Sequence, residues 1–209
     1  SRVPMGLTTR EPGVNSLEDI TSEMRIALPQ PGSIQHILLA MAARRELGDA
    51  RRFDNQLVTL SHPDGVNALL SGGEVSLHFT TSPYLQQEQQ AGMTLILDGE
   101  EAMGQSFTGI VAVAGESLYR EQPEVYGAFL KALKKAIDWI GKHPREAAEL
   151  LAPVYGMEPD ALLLEMTAPG AAYTTEIEGV EAFSAFMLEE GYLRQEHPLD
   201  TLLFPEAVS

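Results

Sequence analysis

The sequence predicts an α/β protein built on a parallel sheet, and three observations carry that expectation. The first is a phrase repeated three times: strand, Ser-bearing junction, helix, Gly. Arg25-Ile26-Ala27-Leu28 leads through Pro31-Gly32-Ser33 into an amphipathic run from Ile34 that ends at Gly48. Leu57-Val58-Thr59-Leu60 leads through Ser61-His62-Pro63 into a run ending at Gly72 and Gly73. Val75-Ser76-Leu77-His78-Phe79 leads through Thr80-Thr81-Ser82-Pro83 into a run ending at Gly92. The second observation is that Thr94-Leu95-Ile96-Leu97 then opens a further strand. The third is a change of character: residues 120 to 195 read as helices only. Strands alternating with short helices give a parallel sheet. Each helix then starts at one sheet edge, where open α/β folds hold their ligands.

Taken in order, Val3 to Thr9 reads as a strand and Glu11-Pro12-Gly13 as a turn. Ser16-Leu17-Glu18-Asp19 opens a brief helix with an acidic first turn, which suits the positive end of a helix dipole. Residues 25 to 97 are the α/β block. Asp98-Gly99-Glu100-Glu101 reads as a solvated acidic break, and Gly109-Ile110-Val111-Ala112-Val113-Ala114 as one more buried strand. From Pro123 to Ile140, Val125, Phe129, Leu133, Ala136, Ile137 and Ile140 share one helical face. Lys131, Lys134 and Lys135 lie largely on the other. Pro123 suits a first helical position and Gly141 a stop. Further helices are expected over Pro144 to Leu151, Pro159 to Met166 and Glu176 to Glu190.

Composition narrows the function. A chain of 209 residues buries a real core and suits one large domain or two small ones. Its net charge of −16 repels phosphate backbones and anionic membranes, which argues against nucleic-acid and membrane-surface partners. There is no cysteine, so disulfides, thiolate chemistry and Cys-rich zinc sites are excluded. No apolar run reaches the ~18 residues of a membrane helix, so no direct membrane insertion is expected. The chain opens on Ser1-Arg2-Val3-Pro4, without the charged and apolar stretches of a signal peptide.

The three junctions supply the candidate site. Ser33 fits an N-cap, beside free backbone N–H groups and the positive end of its helix. Such an end attracts anions. Ser82 with Pro83 repeats the device. Gln35, His36, Thr80, Thr81 and Tyr84 lie close enough to add side-chain contacts. The candidate ligand-binding set is therefore Ser33, Gln35, His36, Thr80, Thr81, Ser82 and Tyr84. The five histidines show no metal-ligand spacing, and neither a metal nor a cofactor is expected. His78 reads as a wall residue within its strand, and Trp139, Phe183 and Phe186 as packing. Arg51 and Arg52, in the loop before the second strand, read as lying away from the ligand edge. No Gly-x-Ser-x-Gly, phosphate loop or dinucleotide fingerprint is present, so no catalytic activity is expected.

The stretch Leu28-Pro29-Gln30-Pro31-Gly32-Ser33-Ile34-Gln35-His36-Ile37-Leu38-Leu39 resembles the second-lobe entry of ABC-transporter solute-binding proteins of the nitrate/sulfonate/taurine family. Asn67-Ala68-Leu69-Leu70-Ser71-Gly72-Gly73-Glu74-Val75 resembles that family's helix-to-strand step, and His78-Phe79-Thr80-Thr81-Ser82-Pro83-Tyr84 its ligand-facing strand end. Glu121 to Ile140 followed by His143-Pro144-Arg145-Glu146-Ala147-Ala148 resembles its C-terminal helix pair.

The resemblance implies a type 2 periplasmic-binding fold: a parallel-sheet lobe, here with a partial second lobe and C-terminal helices. On that pattern residues 1–19 supply a first-lobe strand and crossover, 20–100 the second α/β lobe, and 101–209 the return to the first. It implies a small anion or small polar organic ligand held in an interlobe cleft. It also implies delivery to an ABC permease and a periplasmic location, membrane-associated through that permease. Family members carry a further stretch before Val3, so the chain reads as a fragment or as one part of a split protein. Weak binding in isolation and self-association through Phe129, Leu133 or Ile137 are expected. Two alternatives share the fold: the ligand-sensing effector domain of a LysR-type regulator, and a thiamine-pyrimidine synthase. The latter's signature is a cysteine cluster, which is absent.

Overall fold

A computed structural model describes residues 1–204. The chain forms two units. One comprises Pro4–Phe107 with Glu181–Glu196, and the other Ser1–Val3, Thr108–Val180 and the residues from His197 on.

The first is an α/β unit. Its strands are β1 (Met5–Thr9), β2 (Arg25–Leu28), β3 (Leu57–Thr59), β4 (Val75–Thr81) and β5 (Thr94–Asp98). The helices between and after them are α1 (Ile34–Leu47), α2 (His62–Leu70), α3 (Tyr84–Gln90) and α4 (Gly99–Met103). A single turn of 3-10 helix at Leu17–Asp19 fills the position of the expected brief helix. The sheet order is β3-β2-β4-β1-β5. β2 pairs in parallel with both β3 and β4. The sheet is not wholly parallel as expected: β1 is antiparallel to β4 on one side and to β5 on the other. β1 has both its edges hydrogen-bonded within this sheet. The division falls near residues 4 and 107 instead of 20 and 100, and Glu181–Glu196 rejoins the α/β unit.

The core follows from the pattern. β4 is buried from Val75 to Thr80, as a strand covered on both faces must be. Leu77 and Phe79 are fully buried there, as are Leu7, Ile26, Leu28, Leu38 and Leu39, while Leu69 packs in a separate cluster with Ala27 and Val75. α1 ends where expected: Gly48 adopts a left-handed φ of 75°, and its N–H bonds to the Arg44 carbonyl.

The second unit is helical: α5 (Glu116–Glu121), α6 (Pro123–Lys142), α7 (Pro144–Tyr155), α8 (Pro159–Met166) and, past Glu196, α10 (Leu199–Leu202). α9 (Val180–Glu189) leads into the returning segment and is shorter than the expected Glu176–Glu190. Ala147, Ala148, Ala152, Leu162 and Met166 form a core between α7 and α8. Trp139 packs against that core, as its place beside the apolar stripe suggests. The expected strand over 109–114 does not form. Val113 there is 91% exposed. Only Gly109 and Ile110 find a backbone partner nearby, the carbonyl of Ser1. Among the described residues no ladder takes up the rest. On α6, Phe129 is 49% exposed, whereas Leu133 and Ile137 are half-buried.

Candidate ligand-binding site

The parallel register places the C-terminal ends of β2, β3 and β4 at one sheet edge. Leu28 lies opposite Thr59, and Ala27 opposite His78. The loops that carry Ser33, Ser61 and Ser82 therefore leave from the same edge. Ser33 caps α1: its Oγ accepts from the His36 N–H at 3.4 Å. Ser61 caps α2: its Oγ accepts from the Asp64 N–H and lies 2.5 Å from Asp64 Oδ2.

Ser82 does not repeat the device. The residue at the cap position of α3 is Pro83, which offers no side-chain bond, and the Ser82–Pro83 peptide is cis. The chain is still bound to the sheet at this point. Ser82 N–H donates to the Pro4 carbonyl at 3.0 Å, and the Thr81 hydroxyl donates to the same oxygen at 3.1 Å. Ser82 Oγ and Gln86 Oε1 are buried without a hydrogen-bond partner in the protein. Two polar groups left so are costly; Ser82 lies in the junction itself and Gln86 in the first turn of α3.

The centre of the arrangement is His62, which sequence reasoning left outside the candidate set. Its Nδ1 is 3.0 Å from Thr80 Oγ1, and its Nε2 3.5 Å from Gln35 Nε2. Its ring stacks on Tyr84 with centroids 5.7 Å apart. Residues of the first junction (Gln35) and the third (Thr80 and Tyr84) thus meet the imidazole of the second. The available signal was its position: His62 directly follows a capping serine at a strand end.

Burial pushes the His62 imidazole down to about 4, helped by neighbouring His78 and opposed by Glu88. The neutral ring can donate from Nδ1 to Thr80 while its Nε2 lone pair faces the Gln35 amide. A pH dependence follows. The unfolded imidazole takes its proton near pH 6.5 and the folded one only near 4, so acid favours the unfolded chain across that window. Stability should be unaffected by this group above pH 6.5 and fall as pH drops toward 4. After solvent screening of a half-buried ring, the loss should be about 1–2 kcal/mol. Urea denaturation of the parent and of His62→Gln at several pH values checks this: the variant should lack that share of the slope.

Behind His62 lies a buried network. His78, Glu88 and Thr8 are each fully buried. His78 Nδ1 is 2.5 Å from Glu88 Oε1, and the Thr8 hydroxyl donates to Glu88 Oε2 at 2.6 Å. The His78 and His62 rings are 5.8 Å apart. His78 is the expected wall residue, tied by an acidic partner that the sequence did not disclose.

His36 does not line the edge. Burial does not set it apart, since Gln35 is equally buried at 5% and Thr80 fully so; the difference is that both ring nitrogens of His36 are engaged away from His62. Nδ1 accepts from the Gly32 N–H at 2.9 Å, and Nε2 is 3.2 Å from Asp54 Oδ1. Of the candidate set, the structure gathers Gln35, Thr80 and Tyr84 around His62. Ser33, Thr81 and Ser82 stand along the same edge, and His36 lies behind it. An open groove of about 500 Å³ lined by Arg45, Glu46, Glu100, Glu101, Gly104, Gln105 and Ser106 lies toward the opposite end of α1. Glu100 and Glu101 there form the first turn of α4, capped by Asp98, not a free turn. Among the described residues no group of three or more His, Asp or Glu is placed to hold a metal, and no helix is long and apolar enough to cross a membrane.

A mostly parallel sheet with three junction loops leaving one polar edge defines the class of fold, an α/β one. The family can be stated: over residues 2–147 the chain matches the model of the NMT1/THI5-like family, and it belongs to that family. No curated protein matches it by sequence. Among solved structures it is similar to the periplasmic aliphatic sulphonate binding protein SsuA from Escherichia coli. The TM-score is 0.70 at 19% identity, covering 98% of this chain and 65% of that one. It is similar also to the zinc-bound ligand-binding component of an ABC-type import system from Staphylococcus aureus. There the TM-score is 0.69 at 14% identity, covering 99% and 69%. The desulfurization enzyme DSZB matches with a TM-score of 0.60 at 17% identity, covering 99% and 76%. The fold is that of periplasmic binding proteins, and the chain spans 65% of the E. coli receptor's length.

Proposed function

We propose that the chain is part of the solute-binding component of an ABC uptake system, and that it holds a small anion or small polar organic ligand without turning it over. The ligand is taken up at the Gln35–His62–Thr80–Tyr84 edge and presented to a membrane permease outside the cytoplasm. The observation that carries this is the meeting of the first and third strand-to-helix junctions on His62, at the start of the second. The edge offers hydroxyls, amides, helix-start N–H groups and a stacked ring pair, which suit a small polar solute. The likeness to import-system receptors supports the delivery role. The likeness to DSZB keeps an enzymatic reading in view, but the edge supplies no activated nucleophile.

Calorimetric titration with ethanesulfonate, taurine, nitrate and a substituted pyrimidine tests the reading. One of these classes should bind. Gln35→Ala and Tyr84→Ala should each weaken it about tenfold, roughly 1.4 kcal/mol, with an unchanged melting temperature. Binding that survives both substitutions, or turnover of any of the four, would sink it.

A further inference from the structure

We propose that the returning segment Glu181–Glu196 is a strap that sets the shape of the Pro31–Ser33 turn, with His36 and Tyr192 as its positioning residues. The functional part of this rests on the reading of that edge as the ligand site. The strap works through a closed ring of four side chains. The Arg51 guanidinium lies 4.8 Å over the Tyr192 ring. Arg51 Nη1 reaches Asp54 Oδ2 at 3.4 Å. Asp54 Oδ1 is 3.2 Å from His36 Nε2. The His36 ring returns edge-on to Tyr192, with centroids 5.5 Å apart at 90°.

The ring has one outlet. His36 Nδ1 accepts from the Gly32 N–H, and Gly32 holds a left-handed φ of 81°. That bond ties down the turn from which Ser33 and Gln35 follow. A histidine that rotated freely would release it. The ring is prevented from rotating by Asp54 on one side and Tyr192 on the other.

The strap is also anchored outside the ring, by Arg44 and Phe183, and Arg51 serves both. Both terminal guanidinium nitrogens of Arg44 hold carboxylates, Nη1 that of Glu190 and Nη2 that of Glu189. Arg51 Nη2 donates to the Glu190 carbonyl at 2.8 Å. Phe183 packs edge-on against Phe107. The Tyr192 hydroxyl is buried without a hydrogen-bond partner, so the faces of the ring, not its oxygen, make these contacts. The chain thus spends its C-terminal return on fixing one turn near the start of α1.

Hydrogen exchange read by mass spectrometry tests this without a ligand. In Tyr192→Ala and in Arg51→Ala, the peptide spanning 28–37 should exchange about tenfold faster, as a locally opened turn does. Peptides of β2 and β4 should keep their parent rates. Tyr192→Phe should behave as the parent, because it keeps the ring. If Tyr192→Ala unfolds globally, Arg51→Ala decides, since Arg51 is half exposed and lies outside the core. An unchanged 28–37 peptide in a folded variant whose 181–196 peptide has opened overturns the strap. So does a Tyr192→Phe that matches Tyr192→Ala. Ethanesulfonate affinity, where the parent binds it, should fall about tenfold in Tyr192→Ala and hold in Tyr192→Phe, following the exchange pattern. A parent that binds no panel member counts against the ligand reading alone, because the exchange result stands without it.

Discussion

Replacing Glu88 by Ala should cost about 3–5 kcal/mol of folding stability, as expected when one partner is removed from a buried pair. The carboxylate is fully buried and holds two groups at once, His78 Nδ1 at 2.5 Å and the Thr8 hydroxyl at 2.6 Å. Truncation leaves both donors in the interior beside a cavity. Thr8 retains a long bond of 3.4 Å to the His78 carbonyl, while His78 Nδ1 retains nothing comparable. Its Nε2 already lacks a partner, so the variant imidazole would have two unmet nitrogens. An unsatisfied buried polar group costs about 1–3 kcal/mol, and lost packing adds to it. Glu88→Gln keeps the volume and one acceptor, and should cost about half as much. Chemical denaturation of the three proteins at one pH measures this. A Glu88→Ala within 1 kcal/mol of the parent would show that the network contributes little, a margin below the usual cost of one orphaned group.

Glu88 marks where the sequence stops being readable. It sits in Tyr84-Leu85-Gln86-Gln87-Glu88-Gln89-Gln90, a run whose polarity points outward at nearly every position. Nothing local distinguishes the one glutamate that turns inward, because its partners lie 10 and 80 residues away, beyond the reach of its own helix. The repeated strand-junction-helix phrase was legible for the opposite reason. Ser33, Ser61, Gly48 and the β4 apolar run act on their immediate neighbours. Sheet pairing is not local. β1 looks like any short strand, and its antiparallel place between β4 and β5 depends on residues some seventy and ninety positions on. The 109–114 run shows the same limit from the other side. Its β-branched residues have strand propensity, but propensity without a ladder leaves them in solvent. At the site, hydroxyl and amide positions followed from junction chemistry. The inward turn of His36 did not, because it depends on Asp54 and Tyr192.

Gly65→Ala should destabilise the fold by about 1–3 kcal/mol, the usual cost of overpacking. Helix propensity alone predicts a gain near 1 kcal/mol for this change within a helix. Gly65 lies inside α2 and is buried, so the sign of the outcome is diagnostic. A Cβ built there would lie 2.4 Å from His78 Nε2 and 2.5 Å from Cε1. The imidazole packs directly on the glycine backbone. A flexible side chain would swing away, but this one is fully buried and bonded at Nδ1 to Glu88. The added methyl must displace either that bond or α2 itself, and with α2 the His62 ring at its first position. The explanation makes a second demand. In a His78→Ala background the obstruction is gone, so Gly65→Ala should turn neutral or stabilising by up to about 1 kcal/mol. The two substitutions should therefore couple by more than 1 kcal/mol, within the range found for residues in contact. Denaturation of the four proteins of this cycle supplies the number. Additive effects would mean that His78 is free to move and that Gly65 is required for some other reason.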